Sequence, residues 1–222
     1  MVNRRFGEVR EAEFRSRVVL AIFISALTDN PLVCLDEFCK QLLSEKRPTQ
    51  RAQPRKECRQ DSEYVREGSI SAFMIAMPHL GRREVFISES GRRTGHDFAR
   101  CLRYLAEEVL SKNPKITLVM DNLNTHHLHW LYEIYPPEKA AAIARRFEIH
   151  YTPKHGSWLN MAEIEIGLLV RQGLDKRIAT PQLFRIQIEN YLKRKNSSPK
   201  PINWQFTDQE ARVKLRHLYP SL

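Results

Sequence analysis

Two short apolar runs, each flowing directly into an acid, constrain this chain more than any other feature of it. Residues 31–35 (PLVCL) lead into Asp36-Glu37, and residues 115–120 (KITLVM) lead into Asp121-Asn122. Runs of this length, apolar and partly β-branched, predict buried strands. In sheets with helices on their faces, ligand sites gather at the carboxyl ends of strands. A carboxylate just past a hydrophobic strand is poorly explained by packing, because burying an unpaired charge is costly. One such acid is commonplace as the start of a turn; two in one chain point to a site.

The remaining pattern predicts an α/β fold. Residues 69–77 (SISAFMIAM) and 84–88 (EVFIS) read as strands, with Pro78, Gly81 and an Arg pair between them, so they form an antiparallel hairpin. Residues 97–110 carry apolar side chains at helical spacing, with Thr94 or His96-Asp97 as cap candidates. Residues 127–135 and 138–146 read as helices split by Pro136-Pro137, residues 147–151 (FEIHY) as a strand, and residues 159–169 and 181–195 as helices. Three antiparallel-looking strands followed by βαβα imply a mixed sheet flanked by helices. That order matches an RNase H-like core without excluding other α/β folds. Residues 47–61 lack apolar periodicity and read as an exposed basic loop.

Residues 1–30 stand apart, with a charged stretch, the apolar run 18–27 and a turn at Thr28-Asp29-Asn30-Pro31. Glu8, Glu11 and Glu13 occupy what would be the basic leader of a signal peptide, and the run is too short to span a bilayer. The expectation is a divergent segment over 1–30, with a buried helix or strand in it, and a catalytic-type domain with a helical tail over 31–222. The four cysteines make no CxxC pair and no zinc-site spacing, which fits reduced thiols in a cytoplasmic protein. A net charge of +10 favours a polyanionic partner, nucleic acid first.

A third acid completes the pattern. Glu163 and Glu165 lie on the expected helix, two residues and about 200° apart, so only one faces the sheet. Asn160 is three residues before Glu163 and shares its face. Asp36, Asp121 and Glu163 would form an oxygen-rich cluster suited to hard divalent ions, Mg²⁺ or Mn²⁺. Phosphodiester chemistry by the two-metal route needs two such ions. Asn122 reads first as a turn former and His126 as a helix-start residue with a possible site role. Lys154, His155 and Trp158 form a basic, aromatic loop suited to nucleic acid, and Arg47–Arg59, Arg82/Arg83 and Arg92/Arg93 are candidate phosphate contacts.

The strings VCLDE, LVMDNLNTH and HYTPKHGSWLNMAEIE resemble the three catalytic motifs of mariner-like DDE transposases, in their bacterial insertion-sequence branch. The resemblance runs from about Pro31 to the C-terminal end. It implies an RNase H-like fold and a catalytic triad of Asp36, Asp121 and Glu163. His126 belongs to the matching motif. The implied activity is metal-dependent cleavage and strand transfer at transposon ends. The implied partners are double-stranded DNA and further copies of the chain, as a homodimer or higher oligomer on DNA. Two departures stand out: no helix-turn-helix is recognisable in 1–30, and Phe38 stands where the family leads one to expect Thr. Two other readings therefore remain open, another RNase H-like nuclease and an inert transposase remnant or inhibitor.

Overall fold

A computed structural model describes residues 30–50, 54, 56–57, 61–152, 160–202 and 213; residues 1–29, with the boundary expected after them, and the loop of Lys154, His155 and Trp158 lie outside the described residues. Five strands are described: β1 (Leu32–Glu45), β2 (Tyr64–Met77), β3 (Arg82–Phe86), β4 (Ile116–Met120) and β5 (Phe147–Tyr151). They form one sheet in the order β3-β2-β1-β4-β5. β1 with β2 and β2 with β3 pair antiparallel, whereas β1 with β4 and β4 with β5 pair parallel. The helices are α1 (Gly95–Tyr104), α2 (His129–Ile134), α3 (Pro137–Ala144), α4 (Met161–Gly173) and α5 (Pro181–Asn196). This is the expected mixed, RNase H-like sheet flanked by helices.

Strand alternation sorts the core into two layers. On β1, Cys34, Phe38 and Leu42 join Val119 of β4 under α4 and α5. Val33 and Leu35 join Ile116, Leu118 and Met120 under α1, α2 and α3. The α5 residues Phe184, Ile188 and Tyr191 are all buried, as expected of a covering helix. Phe38 packs against Phe184, ring centroids 6.2 Å apart, which gives the departure from the expected Thr a packing role.

The local chemistry of the helix ends is equally direct. Thr94 caps α1: its hydroxyl accepts the Asp97 N–H, and the Asp97 carboxylate accepts the Thr94 N–H in return. The helix expected to run on to residue 110 widens after Tyr104 into a π-helical turn over Leu105–Val109, where the Leu110 N–H donates to the Leu105 carbonyl five residues back. Pro136 and Pro137 separate α2 from α3, because Pro137 opens α3 without needing an N–H partner. The free edge of β3 is covered by one side chain: the Asn196 amide donates to the Arg83 carbonyl at 2.8 Å, and its oxygen accepts the Arg83 N–H at 3.2 Å.

One expectation needs correcting. The first strand was expected to end at Leu35, with Asp36 and Glu37 beyond it. It continues to Glu45, because antiparallel β2 hydrogen-bonds it over its whole later length, from Cys34↔Ala76 to Glu45↔Tyr64. Parallel pairing with β4 spans only Leu32–Cys34. The first acid is therefore held inside a strand, at the point where its parallel neighbour stops.

Candidate active site

The register of β1 and β4 places the first two acids side by side. Leu32, Val33 and Cys34 pair with Thr117, Leu118 and Val119. Two further steps along that register bring Asp36 level with Asp121. By alternation Asp36 shares the face of Cys34 and Phe38, and Asp121 the face of Thr117 and Val119, which is the face covered by α4. Glu163 lies in the first turn of α4.

The start of α4 is tied to β1 by Asn160. Its side-chain amide donates to the Leu35 carbonyl at 2.8 Å, and its oxygen caps the helix by accepting the Ala162 N–H at 3.1 Å. Asn160 is buried. The anchor sits one residue before Asp36, so it fixes the distance between Glu163 and the strand acids.

The Asp36 carboxyl reports on this company. Burial pushes its pKa up from 3.8 to about 7, against the Glu37 N–H that donates to it at 2.8 Å. The nearby charges of Asp121, Glu37 and Glu163 raise it further. Asp36 thus lies within reach of both other acids, with Glu163 exposed and the Asp121 side chain 33% exposed. No described cation pairs with Asp36 or Glu163.

Glu165, two residues on, has the opposite setting. It turns inward and meets Arg83 of β3 in a bidentate contact: Nη2 donates to Oε1 at 3.0 Å and Nε lies 2.8 Å from Oε2. Glu163 was the helix acid expected to face the sheet, and the structure corrects this: Glu165 is the buried one and Glu163 is exposed. Glu165 fills the core-facing position, and Glu163 sits at its edge beside Asp36.

His126 is fully buried and joins two carboxylates. Its Nε2 lies 3.0 Å from Glu37 Oε1. Its Nδ1 lies 2.7 Å from Asp121 Oδ1 and 3.0 Å from the Asp121 carbonyl. The Nδ1 proton is aimed at the carbonyl, so the contact with Oδ1 is ionic rather than a directed hydrogen bond. Burial alone would lower the His126 pKa, but the Asp121 and Glu37 carboxylates outweigh it and lift the value to about 10. Without a bound metal, the two carboxylates favour the protonated ring. It rests on Phe98, centroids 4.9 Å apart, and the Tyr151 hydroxyl donates to its carbonyl at 3.0 Å.

Glu37 is the site residue that the sequence reading passed over, although the Asp36-Glu37 doublet carried the signal. Neighbouring strand residues point to opposite faces, so a buried Glu37 needs a partner on the α1 side, and His126 is that partner. Glu37, Asp121 and His126 offer donor atoms within 4.8 Å of one another, a spacing that suits a metal ion. An imidazolium has no lone pair to give, and both its nitrogens are committed. The oxygens whose chemistry suits a hard cation are those of Asp36, Asp121 and Glu163, for which His126 is the one counter-charge among the described residues.

Asn122 is exposed on the loop after β4, with no side-chain partner among the described residues. Lys154, His155 and Trp158 cannot be placed against the acids, since they lie outside the described residues.

A family profile described as DDE superfamily endonuclease matches residues 31–183. No curated protein sequence matches the chain. Among solved structures, the Mos1 mariner paired end complex with Mn superposes with a TM-score of 0.55 at 10% identity, over 95% of this chain and 59% of that one. The Mos1 strand transfer complex gives 0.52 at 11%, over 95% and 58%. The mariner Mos1 paired end complex with Mg gives 0.51 at 11%, over 86% and 57%. At such identities the likeness is one of fold, and the chain spans under three fifths of those relatives' length.

Proposed function

The chain belongs to the family of DDE superfamily endonucleases, and on that premise we propose that it is a transposase catalytic domain that cuts DNA at transposon ends and joins the freed 3′-hydroxyl to target DNA. The observation that supports the reading is the nearness of Asp121 and Glu163 to Asp36, whose pKa is raised to about 7 by burial first and further by the charges of Asp121, Glu37 and Glu163. A cluster of like charges is a cost to folding, and it is repaid when cations bind. We assign the three acids to holding two divalent ions, Mg²⁺ or Mn²⁺. Such ions, when bound, activate the attacking water or 3′-hydroxyl and stabilise the leaving oxygen.

The chain's own groups prepare that site. The His126 imidazolium fixes one Asp121 oxygen and leaves the other for an ion, while Glu37 balances its charge. Asn160 holds Glu163 at a set distance from Asp36. In each reaction an oxygen attacks phosphorus in line, a new P–O bond forms and the bond to the leaving oxygen breaks. The +10 net charge supports double-stranded DNA as partner. We assign Lys154, His155 and Trp158 to DNA contact on their sequence alone, with assembly as a homodimer or larger on DNA. The branch assignment, bacterial insertion sequences, rests on the three motif strings.

The test is nicking of supercoiled plasmid by the purified chain beside Asp121→Asn. Nicking that requires Mg²⁺ or Mn²⁺ and vanishes in the variant is the expected result. Equal nicking by both, or none by either folded protein, overturns it.

A further inference from the structure

Next to the acids, across the Glu37 side chain, lies a cleft of about 420 Å³ lined by Glu37, Arg93, Asn122, Leu123, Asn124 and Thr125. It opens between the loop ahead of α1 and the loop after β4. We propose that this cleft is a second phosphate subsite, in which Arg93 takes a backbone phosphate of the same DNA whose neighbouring phosphodiester is cut at the acids. The proposal rests on the function above and names one more contact of that site.

Three observations support it. The first is an uncommitted cation. Arg82, Arg83, Arg100 and Arg103, on the elements around it, are each held by an acid. Arg93 is exposed and makes no hydrogen bond or ion pair among the described residues. The one acid in the cleft wall, Glu37, is already engaged with His126 at 3.0 Å. Among the described residues Arg93 therefore has no counter-charge.

The second is the lining. The same cleft is lined by Asn122, Asn124 and Thr125, whose side-chain amides and hydroxyl have no side-chain partners among the described residues. These are donors of the kind that hold phosphate oxygens. A guanidinium fork matches two phosphate oxygens at once.

The third is a rigid mounting. Gly91 takes a left-handed conformation, φ 63°, and its carbonyl accepts the Ser71 N–H at 2.8 Å, which pins the loop to β2. The Ser90 hydroxyl accepts the Arg92 N–H at 3.0 Å. Buried Asp97 accepts the Thr94 N–H at 3.0 Å, the Thr94 hydroxyl at 2.8 Å and the Ser90 hydroxyl at 3.0 Å. Both flanks of Arg93 are fixed while its side chain is left unbound. On the other wall, the Asn124 carbonyl accepts the Trp130 indole N–H at 3.3 Å.

The experiment measures affinity for a short duplex DNA against salt concentration, in EDTA, for the wild-type chain, Arg93→Ala, Arg93→Lys and Asp121→Asn. Each phosphate contact contributes close to one unit of slope in log K against log salt. The slope of Arg93→Ala is expected to fall in magnitude by roughly 1, with Arg93→Lys recovering it. Asp121→Asn is expected to keep the wild-type slope or steepen it. A slope for Arg93→Ala equal to the wild type overturns the subsite, as does a wild-type chain that binds no duplex. Plasmid nicking by the same proteins separates the two claims. Nicking with an Arg93-independent slope rejects the subsite and retains the enzyme. An Arg93-dependent slope without metal-dependent nicking retains the subsite and rejects the enzyme.

Discussion

Glu163 and Glu165 are two residues apart on one helix, yet the fold treats them in opposite ways. Glu165 is buried against Arg83 in a bidentate ion pair. Glu163 is exposed and shares its surroundings with Asp36 and Asp121, with no described cation of its own. A carboxylate that serves only the fold is neutralised inside the fold. One kept unneutralised beside others costs stability, and such a cost is tolerated where it has a use. The difference separates structural acids from site acids without appeal to any relative.

The largest effect expected from breaking this contrast is on chemistry. Asp36→Asn, Asp121→Asn and Glu163→Gln should each reduce metal-dependent nicking by roughly 10²–10³-fold or more, the scale of removing a group that acts on the transition state. Glu165→Gln should leave nicking largely intact at temperatures where it stays folded. Plasmid nicking with circular dichroism as the folding control reads both. A Glu163→Gln variant that nicks like the wild type would sink the distinction.

Stability should show the reverse ranking. Arg83→Ala leaves Glu165 buried without its partner and should cost roughly 3–5 kcal/mol. For a domain of this size that lowers the melting temperature by about 2–4 °C per kcal/mol. Replacing both, Arg83→Met with Glu165→Leu, should recover most of the loss, because two apolar side chains need no desolvated charge. If the double variant melts as low as Arg83→Ala, the pair contributes something other than neutralisation.

Much of this was legible in the sequence, and the misses have physical causes. β4 and β5 are short, apolar and parallel, and their ends were read to within a residue. β1 was read as ten residues too short. Its later part alternates polar and apolar side chains, Lys40 and Gln41 beside Leu42, and antiparallel pairing with β2 sustains it regardless of side-chain polarity. The acids were legible because they interrupt apolar runs. Glu37 was not, since its role depends on His126, 89 residues away, reaching it across the sheet. Linear spacing holds no trace of that contact.

The contrast also predicts a sign for pH. The folded pKa of Asp36 is raised from 3.8 to about 7, so the metal-free fold holds that proton more tightly than the unfolded chain does. The resulting stability is fully present below 3.8 and is lost as pH rises through about 7. Metal-free wild type should therefore melt lower than Asp36→Asn at pH 8, by on the order of several °C once partial solvation is allowed for. The two should converge near pH 4, and adding Mn²⁺ should raise the wild type alone. Melting curves in EDTA at both pH values decide it. Equal melting at pH 8 would mean that the three carboxylates are far better solvated than their placement implies.

The smallest effect concerns a third way of keeping a buried acid. Asp97 meets an arginine only through one long contact, Arg100 Nη1 at 3.4 Å, rather than a bidentate pair. Burial raises its pKa, yet hydrogen bonds from Thr94 and Ser90 outweigh that and leave it lowered overall. Its contribution is present above the unfolded pKa and fades as pH falls through the folded one, opposite in sign to Asp36. Thr94→Ala removes both the helix cap and one hydroxyl donor and should cost about 1 kcal/mol, the usual size of a lost cap. The Thr94 backbone N–H and the Ser90 hydroxyl still hold Asp97, so the loss should stay that small. Chemical denaturation at neutral pH measures it, and the same variant should retain metal-dependent nicking. A loss several times larger would show that the hydroxyl, rather than the backbone, keeps Asp97 charged. The loop that carries Arg93 would then be only as rigid as that single bond.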